Sequence, residues 1–314
     1  MNREIKKLNG DKIKENLPAA GLVVVILLFT ALTGGRMIAP ANLLLIMKQS
    51  AMQIIACVGV TFVLAHGNLD FSFGANIAIS CAAGAIVGAN VSYLLFLPVC
   101  ILTGILLEVF MCFIHLSCKV PAIVVSWALM FFDQGIMTTL VGKFPMKLPE
   151  ELVFLDHTWF YIIMAVVVCL IGWYLLDYTK LGKYNKAIGS NIVNARFSGI
   201  PVNKFKYLAY AVSGVCVGIC AIICMARGRT ASTLTASGAA IDVLIAVVLG
   251  GMSLGGGTKT RISAGIIGTL MLEFLTNGLT MVGADNNFIG MVKGLIFLTA
   301  VIITFDRKAV QVVI

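Results

Sequence analysis

The feature that most constrains this chain is an uncharged, mostly apolar run from Phe71 to Leu107. A transmembrane helix needs about 20 apolar residues to cross the hydrocarbon core of a bilayer, so this run is too long for one crossing and predicts two. The chain as a whole is also mostly apolar. Of all 314 residues, 60% are hydrophobic and 12% are charged, against about 25% charged residues in a soluble domain. The sequence therefore predicts an integral membrane protein.

The transmembrane segments are predicted to be helices. β-Barrels also satisfy their backbone in lipid, but barrel strands alternate apolar and polar residues, whereas runs such as LVVVILLF at 22–29 are apolar on every side. The predicted fold class is all-α and polytopic, with about ten transmembrane helices. They are expected at residues 18–32, 50–66, 71–92, 93–115, 121–142, 159–177, 207–226, 240–254, 262–281 and 288–304.

The distribution of Lys and Arg predicts that both termini lie in the cytoplasm. Short cytoplasmic loops collect basic residues, and the tail at residues 1–17 is rich in them. Ten crossings of a single permease domain at residues 18–304 then return the tail at 305–314 to the same side. One pair disagrees with the rule, because Arg227 and Arg229 fall outside.

The longest internal polar segment is the predicted cytoplasmic loop at residues 179–206. Its middle is typical of a short helix that begins after Ser190 or Asn191 and ends at Gly199, and Pro201 prevents its continuation. A helix of about eight residues is not stable alone in water. We therefore expect another surface to pack on it.

The loop follows the pattern T-x-x-G-[RK]-x-x-x-A-I-G-x-N-x-x-A-A-R-x-S-G-I-x-V. The matching residues are Thr179, Gly182, Lys183, Ala187, Ile188, Gly189, Asn191, Ala195, Arg196, Ser198, Gly199, Ile200 and Val202. Asn194 departs from the pattern, since alanine is usual there. In this pattern the loop resembles the ATPase-docking loop of the ribose-type ATP-binding cassette (ABC) importer permeases.

Four further stretches extend the resemblance over nearly the whole chain after the tail. GNLDFSFGANIAIS is similar to the family's G-G-I-D-L-S-x-G-x-x-x-A-L-S, and VPAIVVSWALM to its V-P-x-F-I-V-T-L-A-x-M. IAVVLGGMSLGGGTKT is similar to A-A-V-[VL]-L-G-G-T-S-L-x-G-G-x-G, and VKGLIFLTAV to V-K-G-x-[IL]-L-L-x-A-V. The departures are Asn68 for glycine, Met252 for threonine and the charged run at 258–261.

The resemblance to the ribose, galactose and xylose importers implies a function and partners. It implies the permease subunit of an ABC importer for a small polar solute, above all a monosaccharide, in the bacterial plasma membrane. The implied partners are a cytoplasmic ABC ATPase, an extracytoplasmic solute-binding protein and a second permease subunit, identical or a paralogue. No cofactor is expected on this chain, because the ATPase would use the ATP. The residues implied to dock the ATPase are Asn191, Val193, Arg196, Phe197, Ser198 and Gly199.

Charged residues in or beside apolar runs are candidates for a second site. Asp70 and Ser72 stand just ahead of a predicted helix, where capping of free N–H groups is the favoured interpretation and a place in the translocation path is the alternative. The same two roles are open for Asp133, Asp242 and Lys293. Pairing is expected, because each unpaired charge at membrane depth costs at least a few kcal/mol. Glu108 and Asp133 stand where the resembling permeases usually have neutral residues.

Other chemistries find little support. GGMSLGGGTKT lacks the adjacent Gly-Lys-[Ser/Thr] of a P-loop, and the cysteines lie mostly in apolar runs, where a thiol behaves as a small hydrophobe. No catalytic or metal site is predicted, so the chain is not expected to be an enzyme. The basic residues form no patch for nucleic acid. The alternative function is an ion-driven secondary transporter with Asp133, Glu108 or Glu273 as the coupling carboxylate.

Overall fold

The computed structural model describes the backbone of residues 2–304 and the side chains of residues 17–302. In that part of the chain the regular structure is helical, with one isolated antiparallel bridge between Lys147 and Thr230. The predicted tail at 305–314 lies outside it. The α-helices are α1 (Asn2–Leu32), α2 (Pro40–Leu64), α3 (Phe73–Asn90), α4 (Phe96–Ser117), α5 (Ala122–Val141), α6 (Thr158–Asp177), α7 (Lys180–Ser190), α8 (Ile192–Phe197), α9 (Val202–Gly228), α10 (Ala239–Leu249), α11 (Ile262–Met281) and α12 (Asn286–Thr304).

Each of the ten predicted segments contains a helix, which confirms the all-α class. Seven helices of the described chain are long and apolar enough to cross a membrane: α2, α3, α4, α5, α6, α9 and α11. Three shorter apolar stretches accompany them, at Leu17–Leu32, Ala239–Leu249 and Asn286–Ile302. The chain is thus a multi-pass helical membrane protein.

The loops gather at two ends of the bundle. At one end the Gly257 amide donates to the Ala65 carbonyl at 3.0 Å, next to the start of the loop after α2. At the other end the segments before α6 and after α9 pair, with hydrogen bonds from Leu148 N to Arg229 O and from Ala231 N to Met146 O. Successive long helices run between these ends.

Close contact between α4 and α9 fills the centre of the bundle. A Cβ at Gly104 of α4 would lie 2.5 Å from the Gly214 carbonyl and 2.8 Å from the Gly218 nitrogen of α9. Small residues let two backbones approach in this way where lipid offers no hydrophobic drive. Gly214 and Gly218 therefore let the backbone of α9 approach that of α4.

A methyl group at this crossing should destabilise the subunit. Gly218→Ala would place a Cβ 2.8 Å from the Cys100 carbonyl, and overpacking of a core costs about 1–3 kcal/mol. We expect a lower thermal unfolding midpoint in detergent. Gly294→Ala in α12, where nothing lies within 4 Å of the added atom, is the control and should leave the midpoint unchanged or slightly higher. Equal midpoints for the two variants would contradict the packing assignment.

Candidate functional site

The short helix predicted inside the polar loop is present as α8. Asn191 Oδ1 accepts hydrogen bonds from the backbone amides of Val193 and Asn194, both at 3.0 Å, and so caps its start. Gly199 ends it with φ +77°, and the Ile200 amide donates back to the Ala195 carbonyl at 3.1 Å. The loop thus folds as its capping residues dictate.

One side of α8 is anchored and the other is free. Ala195 is buried with Ile188 and Val202 in a small apolar cluster between α7, α8 and the start of α9. Val193 and Phe197 point away from it, and Phe197 is 86% exposed. The structure brings all six docking candidates onto this one segment: Asn191, Val193, Arg196, Phe197, Ser198 and Gly199.

The helix before it, α7, is wedged against the transmembrane bundle. A Cβ on Gly189 would collide with the Ala65 carbonyl and come within 2.8 Å of the Gly257 amide. His66 Nε2 lies 2.9 Å from Asn185 Oδ1, which fits a neutral imidazole that donates from this nitrogen. Burial lowers the pKa of His66 to about 4, which keeps the ring uncharged. Sequence reasoning missed this contact.

A cleft of about 150 Å³ opens where α3, α5 and α10 meet. Asp133 and Gln134 of α5 contribute its polar side chains, together with hydroxyl groups from the loop that precedes α10. Phe71 and Trp127 form an aromatic wall, with ring centroids 5.6 Å apart. The cleft thus combines hydrogen-bonding groups with flat aromatic faces. Its hydroxyl-bearing residues are Thr233, Thr235 and Ser237.

Asp70 and Ser72 lie in the turn between α2 and α3. Asp70 Oδ1 accepts hydrogen bonds from the Ser72 amide at 2.8 Å and from the Ser72 hydroxyl at 2.6 Å. Ser72 is the residue that precedes α3. Asp133 is close enough to interact electrostatically with Asp70. The structure therefore brings Asp70, Ser72 and Asp133 together beside the cleft.

Asp242 and Lys293 form a separate ion pair. Lys293 Nζ of α12 lies 3.0 Å from both carboxylate oxygens of Asp242, at the start of α10. Gln53 Nε2 of α2 donates to the Asp242 carbonyl at 3.2 Å. The predicted pairing of intramembrane charges is thus found here, and it ties α12 to α10 and α10 to α2.

Asp156 organises the opposite end of the bundle. Its Oδ1 accepts from Lys48 Nζ at 2.8 Å and from the Tyr161 hydroxyl at 2.7 Å, while Arg229 lies 3.5 Å from Oδ2. The hydrogen bond from Lys48 is the main reason why the pKa of Asp156 is lowered. This pairing explains why Arg229 can stand against the distribution of the other basic residues, which the sequence alone did not reveal.

Together, a multi-pass helical bundle, a polar cleft within it and a capped helix that protrudes at one end define a membrane permease. A family model described as "Branched-chain amino acid transport system / permease component" matches residues 42–301. The chain belongs to this family, the membrane subunits of ABC importers, and is a transport component, not an enzyme. No solved structure shows significant similarity to it.

Curated relatives fit this membership. The ribose import permease protein RbsC of Escherichia coli K12 is 32% identical over 85% of this chain and 86% of the relative. RbsC of Bacillus subtilis is 30% identical over 98% of each chain. The galactofuranose transporter permease protein YtfT of Escherichia coli K12 is 28% identical over 83% of this chain and 79% of the relative. Because the family is that of ABC permeases, the ion-driven alternative is set aside.

Removal of the Asp156 charge should change how the stability of the fold depends on pH. A carboxyl with a lowered pKa stabilises the fold above its ordinary pKa of 3.8, and this contribution is lost as pH falls through the lower folded value. Asp156→Asn should therefore lower the unfolding midpoint near neutral pH, and its gap from the wild type should close on acidification. The control Glu150→Gln, on an exposed side chain, should show no gap. A gap independent of pH would contradict the ion-pair role.

Proposed function

We propose that this chain forms the membrane pathway of an ABC importer for a monosaccharide. The support for the solute is the names of the relatives, which are ribose and galactofuranose permeases. The cleft suits such a solute, because hydroxyl and carboxyl groups can bind sugar hydroxyls while Trp127 offers an apolar face. The proposed setting is the bacterial plasma membrane, with a solute-binding protein outside and a second permease subunit, identical or a paralogue, alongside.

The proposed topology has about ten crossings with both termini in the cytoplasm. Under this assignment α7, α8 and the loop after α2 share the cytoplasmic side, while Asp156 and Arg229 share the outer side. The contacts within each group support it. The short α10 begins beside the start of α3, since a Cβ on Gly74 would lie 2.7 Å from the Ala236 carbonyl. We infer that this meeting point, and with it the cleft, lies at membrane depth.

The observation that carries the proposal for ATPase docking is the exposure of Phe197 on an anchored helix. A large apolar side chain in water beside an exposed Arg196 is typical of an unoccupied protein contact. Asn191, Ser198 and Gly199 would shape this helix, and Val193, Arg196 and Phe197 would touch the partner. Nucleotide would bind to the ATPase subunit.

The proposed mechanism follows the contacts inward from α8. Closure of an ATPase pair would move α8, and the shared cluster around Ala195 would carry α7 with it. Because α7 touches the end of α2 at Ala65 and His66, its motion would reach the turn that holds Asp70 and the wall of the cleft. Alternation between outward-open and inward-open states is a rigid-body change of this kind.

The docking assignment is tested by a charge and size change on α8. Arg196→Glu with Phe197→Ala should abolish co-purification with the co-expressed ABC ATPase of the importer, while membrane insertion persists. The same pair of changes at Lys143 and Phe144, an exposed basic–phenylalanine pair at the opposite end, is the matched control and should keep the ATPase bound. Co-purification retained by the α8 variant would overturn the assignment.

The cleft is tested by the loss of its aromatic wall. Trp127→Ala should reduce solute uptake by about tenfold, since the loss of a contact worth about 1.4 kcal/mol is a tenfold effect, and leave ATPase binding intact. Trp159→Ala removes a tryptophan that is 62% exposed and not part of the cleft, so uptake should be retained. Equal uptake by both variants would count against the cleft as the solute pathway.

A further inference from the structure

Two acidic side chains meet in the interior of the bundle, and neither has a counter-ion among the described residues. Asp70 is 1% exposed and Glu108 of α4 is fully buried. A chain of hydrogen bonds links them: Asn76 Nδ2 lies 3.0 Å from Glu108 Oε1 and 3.3 Å from Ser72 Oγ, and Ser72 Oγ lies 2.6 Å from Asp70 Oδ1. Each carboxyl therefore has one oxygen engaged by this network.

The other oxygen of each carboxyl is not hydrogen-bonded. Asp70 Oδ2 and Glu108 Oε2 are buried and have no hydrogen-bond partner among the described residues, although the Ser213 hydroxyl of α9 lies near Glu108 and the Phe73 amide lies near Asp70. The two carboxyl groups lie close enough for each to affect the ionisation of the other. Two ionised carboxylates cannot form a hydrogen bond with each other, because both are acceptors only. A hydrogen bond between these two groups therefore requires that one of them is protonated.

In the part of the chain that the structure describes, no positively charged group faces the pair to hold both carboxyls ionised. The titratable groups that face the pair are Asp133 on α5, Cys112 on α4, and Tyr210 and Cys216 on α9, none of them basic. Lys206 lies nearer the start of α9 than Tyr210, and its Nζ is 3.1 Å from His115 Nε2.

Two adjacent buried carboxylates repel each other strongly, and each also loses its hydration. One negative charge is tolerable, because Asp70 sits at the amino end of α3, where the helix dipole and the Ser72 amide favour an anion. We propose that Asp70 and Glu108 hold a single bound proton between them, with Glu108 as the protonated member. Glu108 then donates to Asp70, and both orphan oxygens gain a partner.

The proton would fasten α4 to the turn before α3. That turn leads directly into the cleft, since Phe71 and Gly74 line it. Loss of the proton would leave two like charges in contact and push the turn away from α4. Because the folded pair keeps at neutral pH a proton that the unfolded chain would release, the stability of the subunit should fall as pH rises. This proposal is independent of the docking and solute assignments.

Infrared difference spectroscopy of the complete transporter tests the proposal. At neutral pH the wild type should show the C=O band of a protonated carboxylic acid that is absent from Glu108→Gln and displaced in Asp70→Asn. The band should shift in heavy water. Glu150→Gln, an exposed glutamate, should leave it unchanged. Identical wild-type and Glu108→Gln spectra would overturn the proposal, as would a Glu108 band seen only as ionised carboxylate.

A second measurement avoids substitution of Glu108. Carboxyl-13C glutamate can be incorporated into a Glu273→Gln background, which removes the other glutamate of helices α2 to α12. The isotope should shift a protonated carboxyl band if Glu108 carries the proton. Absence of a shifted protonated band would refute the shared proton. Conversion of the pair to two carboxylates by added sodium would refute it too, and would indicate a cation site instead.

Discussion

The backbone contact between Gly189 of α7 and the Ala65 carbonyl at the end of α2 is the constraint on which this account depends. No side chain fits between the two segments, and Gly257 closes the same gap from the loop after α10. Packed interfaces transmit displacement because they cannot be compressed. The polar helix α7 is thus joined to the long apolar helices without a flexible spacer, and the buried His66–Asn185 hydrogen bond adds a directional contact.

Charge burial organises the bundle in three different ways. Asp242 is neutralised by Lys293, and Asp156 collects Lys48, Tyr161 and Arg229 near one end. Asp70 and Glu108 have neither arrangement and depend on a polar chain through Ser72 and Asn76. Because an unpaired charge in a membrane interior is costly, each arrangement marks a place where helices are held in register.

Local signals predicted local structure well. Asn191 and Gly199 predicted the ends of α8, and the apolar runs predicted a helix in every expected segment. The boundaries were less accurate, because tertiary contacts set them: α2 begins at Pro40, ten residues before the expected start, and α10 ends at Leu249.

The candidate site was predictable only where residues are neighbours in the chain. The six residues of the α8 segment fall together because they are consecutive or nearly so. The contacts of Asn185 with His66 and of Arg229 with Asp156 join residues far apart in sequence, and no periodicity or spacing encodes them. The cleft likewise draws on α3, α5 and the loop before α10. The sequence predicted that Asp242 and Lys293 would each have a partner, but it did not predict that they pair with each other, because that depends on the fold.

The most direct test of the central claim is the number of solute molecules imported per ATP hydrolysed by the reconstituted importer carrying Gly189→Val. If α7 passes the work of the ATPase to α2, this variant should still bind the ATPase and hydrolyse ATP, but import should fall to background. Gly290→Val in α12, where an added Cβ has nothing within 4 Å, should import normally. Import by Gly189→Val at the wild-type ratio would contradict the account.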